Sequence, residues 1–160
     1  MENLSKSFYL GSIAGAGILG TILIGAEVPF GAILVLYAAV VSLVMWYKAW
    51  KAIQDGHART TPGKAVGFLF IPFYNLYWIF QAIWGFAKDY NSYITRHEIS
   101  TPKLTEGLFL TYCILTLVTG VLSRVAVAGL VFSIINLVIL IIIVIKVCDA
   151  VNSLPQPTKT

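Results

Sequence analysis

The chain has 160 residues, 58% hydrophobic and 11% charged, with a formal net charge of +4. Sixteen of its eighteen charged residues lie outside the stretches 7–47, 65–87 and 107–145, which hold only Glu27 and Arg124. So much uncharged chain excludes a water-soluble domain, and the length predicts one all-α integral membrane domain over 1–160 with no separate soluble domain.

The first apolar run, 8–25, resembles a secretory signal but is long enough to span, and Ile24-Gly25-Ala26 lacks the small-x-small cleavage pattern, so it is expected to stay as a helix. Within it, Gly15-Ala16-Gly17-Ile18-Leu19-Gly20 fits the dinucleotide pattern G-x-G-x-x-G. No strand precedes it to shape a phosphate-binding turn, and nucleotide binding is rejected. Spacing by four gives two small ridges instead, Ser12, Ala16 and Gly20, and Gly17, Thr21 and Gly25. Such ridges let helix backbones approach closely, in this chain or between copies.

A tight connection at 26–28 leads into a second span, 29–47, to form a hairpin. Beyond it Lys48, Lys51, Arg59 and Lys64 sit beside the cytoplasmic membrane surface, where each charge contributes roughly 1 kcal/mol toward anionic lipid headgroups. The basic residues are interleaved with acids along membrane-flanking loops, which points to topology and away from nucleic acid.

The segment 65–90 decides the architecture, because Pro72 interrupts any continuous helix there. If it crosses, there are five spans and Lys plus Arg divide almost evenly. If it is re-entrant or interfacial, there are four spans and ten basic residues share one side, with only Arg124 outside. The second topology is favoured, with both termini cytoplasmic. Residues 68–93 hold 11 of the 21 aromatics, including Trp78 and Trp84, which suits a headgroup boundary. After Pro72 a helix places Asn75, Trp78, Gln81, Gly85, Lys88 and Asp89 on one side, opposite Leu76, Phe80, Ile83 and Ala87. The break over 70–75 is expected to be sheltered by the hairpins, since lipid cannot satisfy its peptide groups.

The uncharged run 107–145 is too long for one crossing and predicts a second hairpin, 107–122 and 127–145, with its corner near 120–124, then a short tail over 150–160. Glu27 and Arg124, one at each hairpin's corner and opposite in sign, are expected to approach one another. Cys113 and Cys148 lie in or beside apolar runs and read as packing thiols. His57 and His97 fall in polar connections and offer neither an axial haem ligand nor the close spacing of a zinc site, so no cofactor or metal is expected.

Trp46-Tyr-Lys-Ala-Trp-Lys51, then Thr61-Pro-Gly-Lys-Ala-Val-Gly67, then Phe70-Ile-Pro-Phe-Tyr-Asn-Leu-Tyr-Trp78 resemble an element of small bacterial multi-pass membrane proteins of unknown function. The resemblance covers Trp46–Tyr90 and matches Pro62, Gly63, Gly67, Pro72, Asn75 and Leu76. It implies a bacterial inner membrane and an architecture, without an activity.

The sequence holds no paired acid and base, and no histidine beside a Ser or Cys nucleophile, so an enzyme is not expected. The leading expectation is an accessory or scaffold module whose aromatic segment, with Trp78, Gln81 and Trp84, docks a partner membrane protein, its own copies or lipid headgroups. The alternative is a small oligomeric channel or facilitator lined by Asn75, Gln81, Thr111, Thr116 and Asn136. No ionisable residue lies in mid-span, which argues against proton coupling.

Overall fold

The computed structural model describes residues 3–122 and 126–155, and among these all regular structure is helical. Helix α1 is Lys6–Gly25 and α2 is Phe30–Ala52. Ser5 caps α1, its hydroxyl accepting from Phe8 N–H, and a π-helical turn at Gly11–Gly15 interrupts the α register. The connection turns sharply at Glu27, with φ of 59°, and closes through Val28 N–H to the Leu23 carbonyl at 2.8 Å.

The hairpin is held by backbone contact. A Cβ on Gly31 would lie 2.6 Å from the Gly20 carbonyl oxygen, and one on Gly20 would lie 2.8 Å from that of Gly31. Glycine is needed at this crossing because the two backbones occupy the space a side chain would take. Lower down, the Ser12 hydroxyl meets the Tyr37 hydroxyl at 3.0 Å.

After a polar loop, Thr61 caps the short helix α3, Pro62–Gly67, with Pro62 at its first position, where a missing N–H costs nothing. A 3-10 turn, Phe68–Phe70, extends it. The chain then reverses at Phe73, whose φ is 61°, in a γ-turn closed by Tyr74 N–H to the Pro72 carbonyl at 2.7 Å. Helix α4 returns over 74–96 and carries a second π-helical turn at Phe80–Trp84. The two limbs are tied at successive levels. Trp78 Nε1 donates to the Ala65 carbonyl at 3.1 Å, and nearer the open end Arg59 pairs with Asp89.

Helix α4 also runs antiparallel to α5, Glu106–Leu122. The Asn91 amide holds both the N–H and the C=O of Leu104 at the start of α5, and Cys113 Sγ contacts the Ile79 carbonyl farther along. Asn75 and Leu76 lie level with Gly120 and Val121. Helix α6, Ala126–Asn152, completes the second hairpin, with Asn136 Nδ2 donating to Thr116 Oγ1 at 3.3 Å.

The core gathers where the start of α1 meets the C-terminal end of α6. Trp50, Phe86, Tyr90, Phe109, Ile143 and Val147 are fully buried there. The N-terminal segment is zipped to the end of α6: the Asn152 amide accepts from Leu4 N–H at 2.7 Å and donates to the Leu4 carbonyl at 2.8 Å, and Lys6 pairs with Asp149 at 2.5 Å. Toward the other end α1 and α6 part, leaving an apolar groove of about 620 Å³.

Among the described residues three helices are long and apolar enough to cross a membrane: Lys6–Gly25, Phe30–Ala52 and Ala128–Asn152. Only 17–28% of each apolar window is buried inside the molecule, so their outward faces are as apolar as their inward ones. Helix α5, with 17 residues, is shorter. The helices overrun the expected spans, since α2 continues past Tyr47 to Ala52 and α6 past Ile145 to Asn152. Core packing extends them, because Ala49, Trp50, Val147 and Val151 beyond those limits are all buried.

Candidate functional site

The two small ridges of α1 have different fates. Ser12 and Gly20 are buried and Ala16 lies between them, so this ridge faces α2 of the same chain. In the second ridge Thr21 and Gly25 are exposed, Thr21 bonding only the Gly17 carbonyl of its own helix, while Gly17 and Thr21 line the groove toward Leu130, Ser133 and Leu137 of α6.

The aromatic segment departs from expectation in two ways. The break over 70–75 is not sheltered: Phe70 is 70% exposed and Phe73 86%. Local hydrogen bonds satisfy part of its backbone, from Tyr74 N–H to Pro72, Asn75 N–H to Ile71 and Leu76 N–H to Phe73. Inside the turn, Tyr74 stacks on Trp78 with ring centroids 5.5 Å apart, and Phe68 meets Trp78 edge-on at 4.8 Å. The return helix, moreover, carries Gly85 of the expected polar side into the core, while Lys88 and Asp89 stay part-exposed. The π turn shifts its register, and from Ala82 onward Ile83, Gly85, Phe86, Ala87, Tyr90 and Ile94 all point into the core. Trp84 is half-buried beneath Lys88, whose Nζ lies 3.3 Å from its ring centroid. Pro62 and Gly67 bound α3, and Gly63 lies exposed in its first turn.

Of the polar residues, Asn75 and Thr116 line one cavity of about 290 Å³, and the Thr116 hydroxyl accepts from the Asn136 amide. Asn136 Oδ1 and Thr119 Oγ1 are buried without a hydrogen-bond partner among the described residues. Gln81 turns away to the Tyr77 hydroxyl at 2.9 Å, and Thr111 is exposed. The polar residues of a pore reading are thus brought together only in part.

In the basic set, Lys51 and Lys64 are exposed and Lys48 is half-buried. Arg59 is spent within the chain, pairing through Nη2 and Nε with Asp89 at 2.7 and 2.8 Å and lying over Gly85. It is therefore withdrawn from the expected headgroup set. Glu27 is at the first hairpin's corner, and Arg124 lies outside the described residues, so the pair expected between them does as well.

Sequence reading missed the loop cluster around Asp55, whose members are far apart in the chain. Its carboxylate accepts from Arg96 Nη2 at 2.7 Å, from Arg96 Nε at 3.1 Å and from His57 N–H at 2.9 Å, with His97 Nε2 at 3.2 Å. Both histidines thus flank one acid while their rings stay exposed. Burial raises the Asp55 carboxyl, but the Arg96 and His57 hydrogen bonds, that of His97 and the Arg96 charge outweigh it and hold the group well below the usual carboxylate range. A depressed folded pKa gives stability that is complete above the unfolded value and is lost as pH falls through the folded one. Asp55→Asn is therefore expected to melt below the wild type at neutral pH, with the gap closing below about pH 4. Thermal unfolding in detergent across pH checks this, and a constant gap down to acid pH would contradict it.

Among the described residues no group of three or more potential ligands could hold a metal ion. No known protein family matches the chain, and neither a curated protein nor a solved structure matches it.

Proposed function

We propose that this protein is a four-span membrane module in which α1, α2, α5 and α6 cross the bilayer and 62–96 dips in and returns. In this reading it acts as an accessory or scaffold subunit that docks another membrane protein or further copies of itself. The zipped termini support the topology, because two ends bonded to one another favour an even number of crossings. The antiparallel ties from Ala65 to Trp78 and from Arg59 to Asp89 support the re-entrant path. By its resemblance to bacterial multi-pass proteins, and by the positive-inside rule, the module belongs in a bacterial inner membrane with both termini cytoplasmic.

The single observation that carries docking is the uncovered break at Phe70–Phe73. Non-helical backbone at membrane depth needs protein or water around it, and neither hairpin covers this turn. A second chain placed there removes the conflict. A photo-crosslinking residue at position 73 is expected to yield protein adducts in membranes, whereas one at Ile33, which is 59% exposed on α2, yields only lipid adducts. Adducts from neither position, or from 33 alone, would contradict the proposal.

A second reading, a small oligomeric channel, is favoured by the cavity that Asn75 shares with Thr116 beside Asn136. Solute flux through liposomes that is lost in Asn75→Leu would favour it.

A further inference from the structure

We infer that the junction of the 101–105 linker with the end of α6 is a binding site for the phosphate of an anionic membrane lipid. The inference needs the chain to lie in a membrane but does not depend on the docking reading above.

A cavity of about 220 Å³ opens there, lined by Lys103 and Leu104 on the linker and by Lys146, Asp149 and Ser153 on α6. Two lysines from separate elements therefore line one space. Neither has a hydrogen bond or a carboxylate partner among the described residues. The one acid in the lining is already committed, because Asp149 pairs with Lys6 at 2.5 Å, and the Ser153 hydroxyl donates to the Asp149 carbonyl at 2.7 Å. With Asp149 neutralised, the cavity carries an uncompensated positive charge that suits a phosphate oxygen.

The walls are held in place. Asn91 grips Leu104 through both its N–H and C=O, at 2.8 and 2.9 Å, and the Tyr90 hydroxyl bridges Thr101 and the Ala150 carbonyl at 3.2 Å each. These bonds fix the linker against α6 before any ligand arrives, which lowers the ordering cost of binding.

The adjoining surface identifies a lipid over a soluble anion. Val138 and Ile142 precede Lys146 along α6 at intervals of four, and both are exposed. An acyl chain lying along this stripe brings its phosphate to the two lysines.

The test is native mass spectrometry of the detergent-solubilised full chain titrated with dioleoylphosphatidylglycerol, against dioleoylphosphatidylcholine with the same acyl chains. The wild type is expected to retain one phosphatidylglycerol in preference to phosphatidylcholine. K103Q and K146Q should each weaken this about fivefold and the double variant about twentyfold or more, at roughly one headgroup charge contact per lysine. The charge-matched K51Q/K64Q control should leave it unchanged, and K103R/K146R should retain it. Lys51, Lys64 and Lys103 are exposed and Lys146 is half-buried, and unchanged melting of the double variant checks its fold. Equal weakening by K51Q/K64Q, or no preference for the anionic lipid, would overturn the site. Displacement of the lipid by millimolar inorganic phosphate would assign the cavity to a soluble anion and overturn its assignment to lipid.

Discussion

Gly31→Leu is expected to pry the first hairpin apart and to cost about 3 kcal/mol or more in stability. The cause is geometric. Any Cβ at position 31 would sit 2.6 Å from the Gly20 oxygen and 2.7 Å from Ile24 N, atoms of backbone that cannot turn aside as a side chain can. Gly20→Leu meets the same obstacle, with the Gly31 oxygen at 2.8 Å and Val35 N at 2.9 Å. Between transmembrane helices there is little hydrophobic drive, since lipid is as apolar as leucine, so lost close packing is not offset elsewhere. Gly11 and Gly25 supply the contrast. Nothing lies within 4 Å of a Cβ at either, and Ala there should be neutral or stabilising by up to about 1 kcal/mol. Unfolding titrations in mixed micelles compare the four variants, and equal effects at positions 25 and 31 would refute the close crossing.

Trp50→Ala is the second large effect, expected at about 3–5 kcal/mol because it empties a fully buried site. The indole packs edge-on against Phe86 with centroids 5.6 Å apart and donates from Nε1 to the Ala82 carbonyl at 2.9 Å. Ala82 lies in the π turn, where the shifted register frees a carbonyl that needs an outside donor. Trp50→Phe keeps the ring and loses the donor, so it isolates the hydrogen bond at about 1–3 kcal/mol. Trp50→Phe as stable as wild type in the same titration would show that the carbonyl does not depend on the indole.

Much of this was legible beforehand, for reasons the residues make plain. Missing charge marked the apolar helices, because a charge in hydrocarbon is costly whatever the fold. Spacing by four marked the Ser12 to Gly20 ridge, and Pro72 marked the reversal. Spacing did not tell which of two ridges would meet α2, since that depends on the crossing point at Gly31, one residue on another helix. The π turns at 11–15 and 80–84 leave no pattern, yet the second lies where Gly85 enters the buried face of α4. The Asp55 cluster and the Asn152 clamp on Leu4 join residues far apart in sequence, and no local rule points to either. Sheltering of the break at Phe73 was expected from the cost of exposed backbone, and its exposure is what directs attention to a second chain.

The central claim is the path of the chain through the membrane, and thiol accessibility in intact cells measures it most directly. Cys113 and Cys148 are fully buried, so they can remain in place. Single cysteines at Val28, Ser92 and Ser153, all exposed, are treated with an impermeant thiol reagent. Labelling is expected at 28, with protection at 92 and 153 until the cells are opened. Labelling at both 92 and 153 in intact cells would mean that 62–96 crosses the bilayer, and it would contradict the four-span module.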